Sequence, residues 1–368
     1  MTKKRIIITG GHHNSALLVA EELINQGFEV VWFGHKHSML GDKNNSAEYT
    51  EVIAKKIRFI NIKAGKWQPK YKFLINFIHI PIGFFQSFYY LLKEKPVLVF
   101  SFGGYLALPV SICAWILKIP VITHEQTVVS GVANKIIAKI AKKIFISFSS
   151  SAKFFPPEKT VLTGLPLRKG LFDGFKPIFN NSKKTIYITG GKQGSHIINE
   201  AIFDILPELL EKFNVIHQCG SSSLYNDFKT ASDFKRDNQK FDNYLVKEYF
   251  FENEIGNIYH NADFVVSRSG AHTVYELMAL KKPAILIPIP WSNNNEQELN
   301  AKMFFEAGLG IVVTEENLGK GLLLAKINDF DSCLSEFSLK NQSILPQEDA
   351  LKIIIAEVVN LTKKIPGI

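Results

Sequence analysis

Short apolar runs alternate along most of the chain with stretches of helical period, and glycine, serine and proline bound the runs. Arg5–Thr9 is the first such run. The polar turn Gly10-Gly11-His12-His13-Asn14-Ser15 follows, then the periodic stretch Ala16–Gln26 stopped by Gly27, then a second run, Phe28–Phe33. Strand, turn, helix and strand make a βαβ opening. Runs at Ile57–Ile62, Val97–Phe100, Val121–Thr123, Ile144–Ser147 and Thr160–Leu162 predict further strands, most of them separated by helical stretches. Polar Asn180–Lys184 reads as a linker, and after it the pattern restarts with Thr185–Thr189 as strand, a Gly190–Ser195 turn and one helix from about Ile197 to Phe213. Val215–Gln218, Tyr244–Val246, Phe264–Ser267, Ala284–Pro288 and Gly310–Val313 supply later strands, and Ala350–Leu361 reads as a closing helix. Two successive series of this kind predict an α/β chain of two doubly wound domains, with ligands at the carboxyl ends of the strands.

The most informative of those ends follows Phe264–Ser267. The turn Ser269-Gly270-Ala271-His272 leads into Val274, Leu277, Met278 and Lys281 at helical spacing. A strand, a tight turn and a helix leave backbone N–H groups free at a helix N-terminus, where phosphate oxygens bind well. Glu276 lies about one turn further on, within reach of a ribose whose phosphates sit on the turn. Taken alone, the stretch also fits an ordinary strand-to-helix joint. A nicotinamide or flavin site is excluded at the first turn, because its glycines do not form G-x-G-x-x-G and the second strand ends Trp32-Phe33-Gly34-His35 without an acid for the ribose.

Composition narrows the classes. A chain of 368 residues exceeds what one core usually supports, so two domains are expected. Forty-three basic against 34 acidic residues give a formal charge of +9, which asks for an anionic partner. No helix-turn-helix, zinc finger or aromatic-studded basic strand points to nucleic acid, so a membrane surface or a pyrophosphate substrate is expected instead. Cys113, Cys219 and Cys333 have neither metal nor redox spacing and read as buried thiols in a reducing compartment. Met1–Arg5 runs straight into the first strand without an apolar leader segment, so a cytoplasmic location is expected. Lys66–Lys95 stands apart: Phe73–Leu92 is nearly as long as a membrane span but is interrupted by Asn76, His79, Pro81, Gly83, Gln86 and Ser87, and lysines flank it. It reads as a core helix or as an amphipathic patch on an anionic membrane face, with a transmembrane helix the weakest fit. Asp329-Phe330-Asp331 reads as solvated surface, and no metal site is expected.

Several loops carry a resemblance. Phe102-Gly103-Gly104-Tyr105-Leu106-Ala107-Leu108-Pro109, His124-Glu125-Gln126 and Gly164-Leu165-Pro166-Leu167-Arg168 in the first half, with Gly190-Gly191-Lys192-Gln193-Gly194, Ser267–Glu276 and Asn294–Ala301 in the second, resemble in order the MurG family of peptidoglycan N-acetylglucosaminyltransferases. The resemblance implies the glycosyltransferase-B fold, two Rossmann-like doubly wound domains with a cleft between them. It places an N-terminal domain at 1–165, completed by a C-terminal helix at 348–368, on the acceptor and membrane side, and the donor domain at 166–347. It implies inverting transfer of GlcNAc from UDP-GlcNAc to the 4-hydroxyl of MurNAc-pentapeptide in an undecaprenyl-pyrophosphate-linked acceptor, lipid I, at the cytoplasmic face of the membrane. No cofactor is implied.

By the same resemblance His12 is the general base, ahead of His13, since an imidazole titrates near neutral pH. Ser269, Gly270, Ala271 and His272 seat the pyrophosphate, and Glu276 takes the ribose. Arg168 lies near the nucleotide. Gly191, Lys192, Gln193 and Gly194 form a donor loop, Phe251 and Glu252 belong to a loop whose backbone reads uracil, and Gln297 and Asn300 hold the sugar. Gly10, Gly11, His13, Asn14, Tyr105, His124, Glu125, Gln126 and Thr127 line the acceptor side. The chain departs from the family in its short first loop, in Thr127 where an asparagine is usual, in Lys192 where a serine is, and in Glu296 beside Gln297. Three alternatives stay open on the same fold: transfer to another polyprenyl or lipid acceptor, a UDP-GlcNAc 2-epimerase, and a non-catalytic sugar-nucleotide-binding subunit.

Overall fold

Runs of Ile, Val and Phe without polar alternation bury both faces of a strand, and the inner strands of both sheets are such runs. The computed structural model describes residues 3–11, 13–37, 45–65, 73–222, 224–319, 321–340 and 349–363. The chain divides into two units, Met1–Leu167 with Gln347–Ile368, and Arg168–Pro346.

In the first unit, strands β1 (Arg5–Thr9), β2 (Glu29–Gly34), β3 (Arg58–Asn61), β4 (Leu98–Ser101), β5 (Val121–Glu125), β6 (Lys143–Ile146) and β7 (Thr160–Leu162) alternate with helices α1 (His13–Asn25), α2 (Ala47–Ala54), α3 (Phe73–Glu94), α4 (Ala107–Ile116) and α5 (Val132–Ile140). All seven strands are parallel, in the order β3-β2-β1-β4-β5-β6-β7. The second unit repeats the scheme with β8 (Thr185–Thr189), α6 (His196–Phe203), α7 (Leu206–Lys212), β9 (Asn214–Gln218), α8 (Asp227–Asp237), β10 (Tyr244–Lys247), α9 (Glu252–Asn261), β11 (Phe264–Ser267), α10 (Ala271–Ala279), β12 (Ala284–Leu286), α11 (Glu296–Glu306), β13 (Gly310–Val312) and α12 (Leu322–Ser332). Its six parallel strands run β10-β9-β8-β11-β12-β13. The order reverses between β1 and β4 in one sheet and between β8 and β11 in the other, and such a switch point opens a crevice at the carboxyl ends of its strands. Registers Thr9↔Ser101 and Thr189↔Ser267 bring the two strand ends level in each case.

The last helix, α13 (Ala350–Lys363), belongs to the first unit. Its Ile354, Ile355 and Val358 are buried with Val19, Leu23 and Val30. At about 1.5–3 kcal/mol for each such side chain, that seam makes the helix a structural part of the unit.

Three features differ from the pattern reading. The helix expected from Ile197 to Phe213 is two, α6 and α7. Pro207 in the first turn of α7 has no N–H to give and would clash with the carbonyl four residues back. The 180–184 stretch is not a linker: Asn181 Nδ2 donates to Asn214 Oδ1 at 2.9 Å and Lys183 Nζ to the Leu210 carbonyl at 2.9 Å, inside the second unit. Asp331 is not simply solvated, since Lys184 and Lys212 hold it at 2.6 and 3.1 Å. All three cysteines are free; Cys113 and Cys219 are buried and Cys333 is half-buried.

Helix α3 runs unbroken past Pro81 and is two-faced. Ser87, Leu91 and Glu94 are buried, whereas Phe85 and Tyr89 are 77% and 58% exposed and Ile82, Phe88 and Leu92 face outward with them. Neither a plain core helix nor a membrane span describes it, and among the described residues no helix is long and apolar enough to cross a membrane. Residues 66–72 of the proposed patch lie outside the described residues. Glu94, at the end of α3, is clamped to the sheet. Arg58 donates to its Oε2 and Oε1 at 3.0 and 2.8 Å, and Arg5 donates to its carbonyl at 2.6 Å.

Candidate functional site

The loops after β1 and β4 in the first unit and after β8 and β11 in the second lie at the two switch points. In the second unit the 190–194 loop leaves β8 through a turn that only glycine fits at its end. Gly194 has φ +82°, and a Cβ there would meet the Cys219 carbonyl oxygen at 2.0 Å. Gln218, which sequence reasoning passed over, ties this loop to its neighbour. Its amide donates to Thr189 Oγ1 at 2.9 Å and to the Gly191 carbonyl at 3.0 Å, and its Oε1 accepts from Phe250 N at 3.0 Å. The residue ends β9, but no local motif marks it. Lys192 is half-buried with its ammonium 5.4 Å from the Tyr249 ring centroid, and Gln193 is exposed.

The turn after β11 is held from below. Ser269 is fully buried; its hydroxyl donates to the Gln297 carbonyl at 2.8 Å, and its own carbonyl accepts from Asn300 Nδ2 at 3.0 Å. Gln297 Oε1 accepts from Ile289 N at 3.1 Å. Gln297 and Asn300 therefore shape the turn, and the buried Asn300 Oδ1 has no partner among the described residues. Arg268, to which no local motif assigns a role, binds Ser195 Oγ at 3.0 Å and Glu315 at 2.6 Å, lacing this turn to the loop after β8. Gly270 caps α10 without a side-chain bond, and the space a Cβ would take there is open. Ala271 and His272 follow as the first helical residues, so the N–H end of the helix dipole lies at this turn.

Arg168 and Glu276, expected in separate roles, form one unit. The guanidinium donates Nε and Nη2 to the two carboxylate oxygens at 2.8 and 2.8 Å, a bidentate pair. Tyr259 Oη donates to Glu276 Oε2 at 3.2 Å. Burial, then the adjacent Glu276 carboxylate, hold the Tyr259 phenol well above its ordinary range. For Arg168, burial favours the neutral form, but the Glu276 carboxylate more than reverses this and keeps it charged above the usual arginine range. Phe251 is exposed on the uracil candidate loop, with its N–H donating to Glu254 Oε2 at 3.1 Å. Half-buried Glu252 opens α9 beside it.

In the first unit Gly10 (φ +142°) lies so near the chain after β4 that a Cβ would meet the Phe102 backbone at 2.7 Å. Gly11 N donates to the Gly103 carbonyl at 3.0 Å, so the two loops at the switch point are fastened together. His12 lies outside the described residues. His13 begins α1 with Nε2 3.4 Å from Glu51 Oε2, and Asn14 follows half-buried. Tyr105 is 38% exposed, its ring 5.4 Å from that of His35.

The stretch 124–127 is interior rather than lining. His124, Glu125, Gln126 and Thr127 are at most 4% exposed. Glu125 Oε1 accepts from Thr127 Oγ1 at 2.9 Å, and its Oε2 accepts from Asn134 Nδ2 at 3.0 Å and Gly131 N at 3.3 Å. His124 Nε2 lies 3.0 Å from the Gly164 carbonyl. A buried carboxylate with several donors fixes a loop, and here it fixes the segment between β5 and α5. Asn134, which the sequence did not single out, is one of those donors. Among the described residues no cluster of three or more His, Cys, Asp or Glu side chains could hold a metal ion.

Comparison with known proteins finds matches over most of the chain. The profile of the glycosyltransferase family 28 N-terminal domain matches residues 7–146, and that of the family 28 C-terminal domain matches 185–352. The UDP-N-acetylglucosamine–N-acetylmuramyl-(pentapeptide) pyrophosphoryl-undecaprenol N-acetylglucosamine transferase of Clostridium perfringens is 35% identical over 90% of this chain and 91% of its own. The enzyme of that name from Clostridium botulinum is 37% identical over 88% and 90%. The crystal structure of Acinetobacter baumannii MurG matches with TM-score 0.70 and 24% identity over 98% of this chain and 100% of that one. A UDP-GlcNAc 2-epimerase from Methanocaldococcus jannaschii shares the fold, with TM-score 0.60 at 14% identity over 97% and 99%.

Proposed function

The chain belongs to glycosyltransferase family 28, and from that premise we infer that it transfers GlcNAc from UDP-GlcNAc to lipid I, giving lipid II for peptidoglycan synthesis. The observation that carries the site reading is the N-terminus of α10, which follows the Ser269-Gly270 turn at the switch point of the second sheet with open space where a Gly270 Cβ would lie. A diphosphate fits there, with Lys192 in the neighbouring loop as a second source of positive charge. In the proposed reaction the MurNAc 4-hydroxyl oxygen bonds to the anomeric carbon as the bond from that carbon to the UDP oxygen breaks. The hydroxyl proton passes to His12, and the helix N-terminus and Lys192 meet the charge left on UDP, so no metal is assigned a role. Gly10, Gly11, His13, Asn14 and Tyr105 surround the acceptor side of this scheme, with 124–127 supporting it from inside.

We place the enzyme at the cytoplasmic face of the membrane, held by the outward apolar row of α3 with Lys93 and Lys95 beside it. The formal charge of +9 favours an anionic surface. The test is transfer of radiolabelled GlcNAc from UDP-GlcNAc to a soluble lipid I analogue by wild type and by His12→Ala. Wild-type product with a loss of at least about 100-fold in the variant supports both acceptor and base. Product from both removes His12 as the base, and no wild-type product while UDP still binds overturns the lipid I reading.

A further inference from the structure

The donor loop at 190–195 is gripped from the side by a second loop, and the grip ends in three side chains outside the site assigned so far. Backbone bonds form its near end: Ser221 N donates to the Lys192 carbonyl at 3.0 Å and Ser222 N to the Gln193 carbonyl at 3.3 Å. Its far end is His196, the first residue of α6, directly behind the loop. The His196 ring stacks on Tyr225 with centroids 3.9 Å apart and planes within 5°, and its Nδ1 lies 2.8 Å from Asp227 Oδ1. Tyr225 and Asp227 both follow the gripping loop, at the start of α8. Asp227 is itself fixed, its Oδ2 accepting from Asn199 Nδ2 at 2.7 Å, while Asn199 also donates to the Cys219 carbonyl at 2.9 Å. Asn199 Oδ1 lies 3.1 Å from His217 Nε2, and His217 Nδ1 lies 3.1 Å from Tyr244 Oη, so the chain of contacts ends in the core.

We propose that His196, clasped between Tyr225 and Asp227, is a positioning residue that sets the shape of the 190–195 loop and hence the affinity for the nucleoside diphosphate of the donor. The inference rests on the donor-loop reading above. Two clamps bracket the loop, so releasing either lets the carbonyls of Lys192 and Gln193 turn and moves the N–H groups between them. His196 is not a ligand of the donor in this scheme. It acts through the loop, and its loss should raise the donor KM while sparing the acceptor KM.

The substitutions His196→Asn and His196→Phe separate the two contacts. Asparagine keeps a donor where Nδ1 stood and loses the stack, whereas phenylalanine keeps the stack and loses the bond to Asp227. UDP affinity by titration calorimetry and KM for UDP-GlcNAc are measured on the full chain, with far-UV circular dichroism confirming the fold. Losing a hydrogen bond to a charged group predicts about tenfold weaker UDP binding for the phenylalanine variant, with partial recovery in the asparagine variant and unchanged acceptor KM. Wild-type UDP affinity in both folded variants, or donor and acceptor KM rising together, overturns the clasp. If wild type binds UDP and transfers no GlcNAc, the acceptor reading fails alone and the calorimetric result still decides the clasp. A wild type that binds no UDP overturns both.

Discussion

Exchanging Arg168 for methionine should destabilise the second unit more than exchanging Glu276 for glutamine, although both remove the same ion pair. The asymmetry comes from where the survivor is left. Glu276 is 2% exposed at its side chain and Arg168 is 24% exposed. Arg168→Met strands a carboxylate away from water with, among the described residues, only the Tyr259 hydroxyl to support it, and breaking a buried pair in this way costs about 3–5 kcal/mol. The remaining Tyr259 bond puts the expectation at the low end, about 3 kcal/mol. Glu276→Gln leaves a guanidinium that water can reach and a side chain that can still accept from it, so the loss should be about 1 kcal/mol. For a unit of this size the two losses translate into falls of about 6–12 °C and about 2–4 °C in its unfolding midpoint. The double substitution should resemble Glu276→Gln, because no charge is then stranded, which is a coupling of about 3 kcal/mol between the two sites. Calorimetric unfolding of the four proteins reads all of this. Equal losses in the two single variants, or a double variant that simply adds them, would refute the assignment of Glu276 as the buried charge that needs Arg168.

Two further outcomes follow from the structure. Burial lowers the pKa of His217 to about 4 from the ordinary 6.5, so the unfolded chain takes up its proton first as pH falls. The stabilisation is complete above about pH 6.5 and lost progressively towards pH 4. It amounts to about 3 kcal/mol, and urea midpoints between pH 7.5 and 4.5 should fall less in a His217→Gln variant than in wild type. An equal fall in both would remove His217 as the source. The outward face of α3 gives the last: Phe85→Ser combined with Tyr89→Ser should cut co-sedimentation with anionic phospholipid vesicles, while stability shifts by about 0.5 kcal/mol or less, as for exposed positions generally. Unchanged sedimentation would exclude this face as the lipid contact.

How far the sequence carried the reading can be judged residue by residue. Continuous apolar runs bounded by glycine located most strands nearly to the residue, and Thr160–Leu162 and Thr185–Thr189 match β7 and β8. Burial on both faces, complete in inner strands such as β8, leaves no other use for such runs. Long-range side-chain pairing was beyond it. Arg168 meets Glu276 across 108 positions and Asn199 meets Asp227 across 28, and nothing in local pattern encodes either contact. The same holds for a role carried over from the resemblance: Glu125, placed there on the acceptor side, accepts from Thr127, Gly131 and Asn134 and holds a loop. Pro207 was visible, but the helical period on both sides masked its break.

The clamp on Glu94 has a mechanical meaning. Arg5 comes from β1 and Arg58 from β3, so the end of α3 is bolted to two strands of the first sheet. An apolar helix hinged on a loose loop could sink into a lipid surface while the rest of its unit tumbled above it. Bolted at Glu94 and seated on lipid as proposed, α3 would instead act as a keel: wherever it settled, the carboxyl ends of β1 and β4 would settle with it at a set height and tilt. Diffusion along the surface would then carry the Gly10 loop always at one level, and the search for a lipid-borne hydroxyl would become a search in two dimensions.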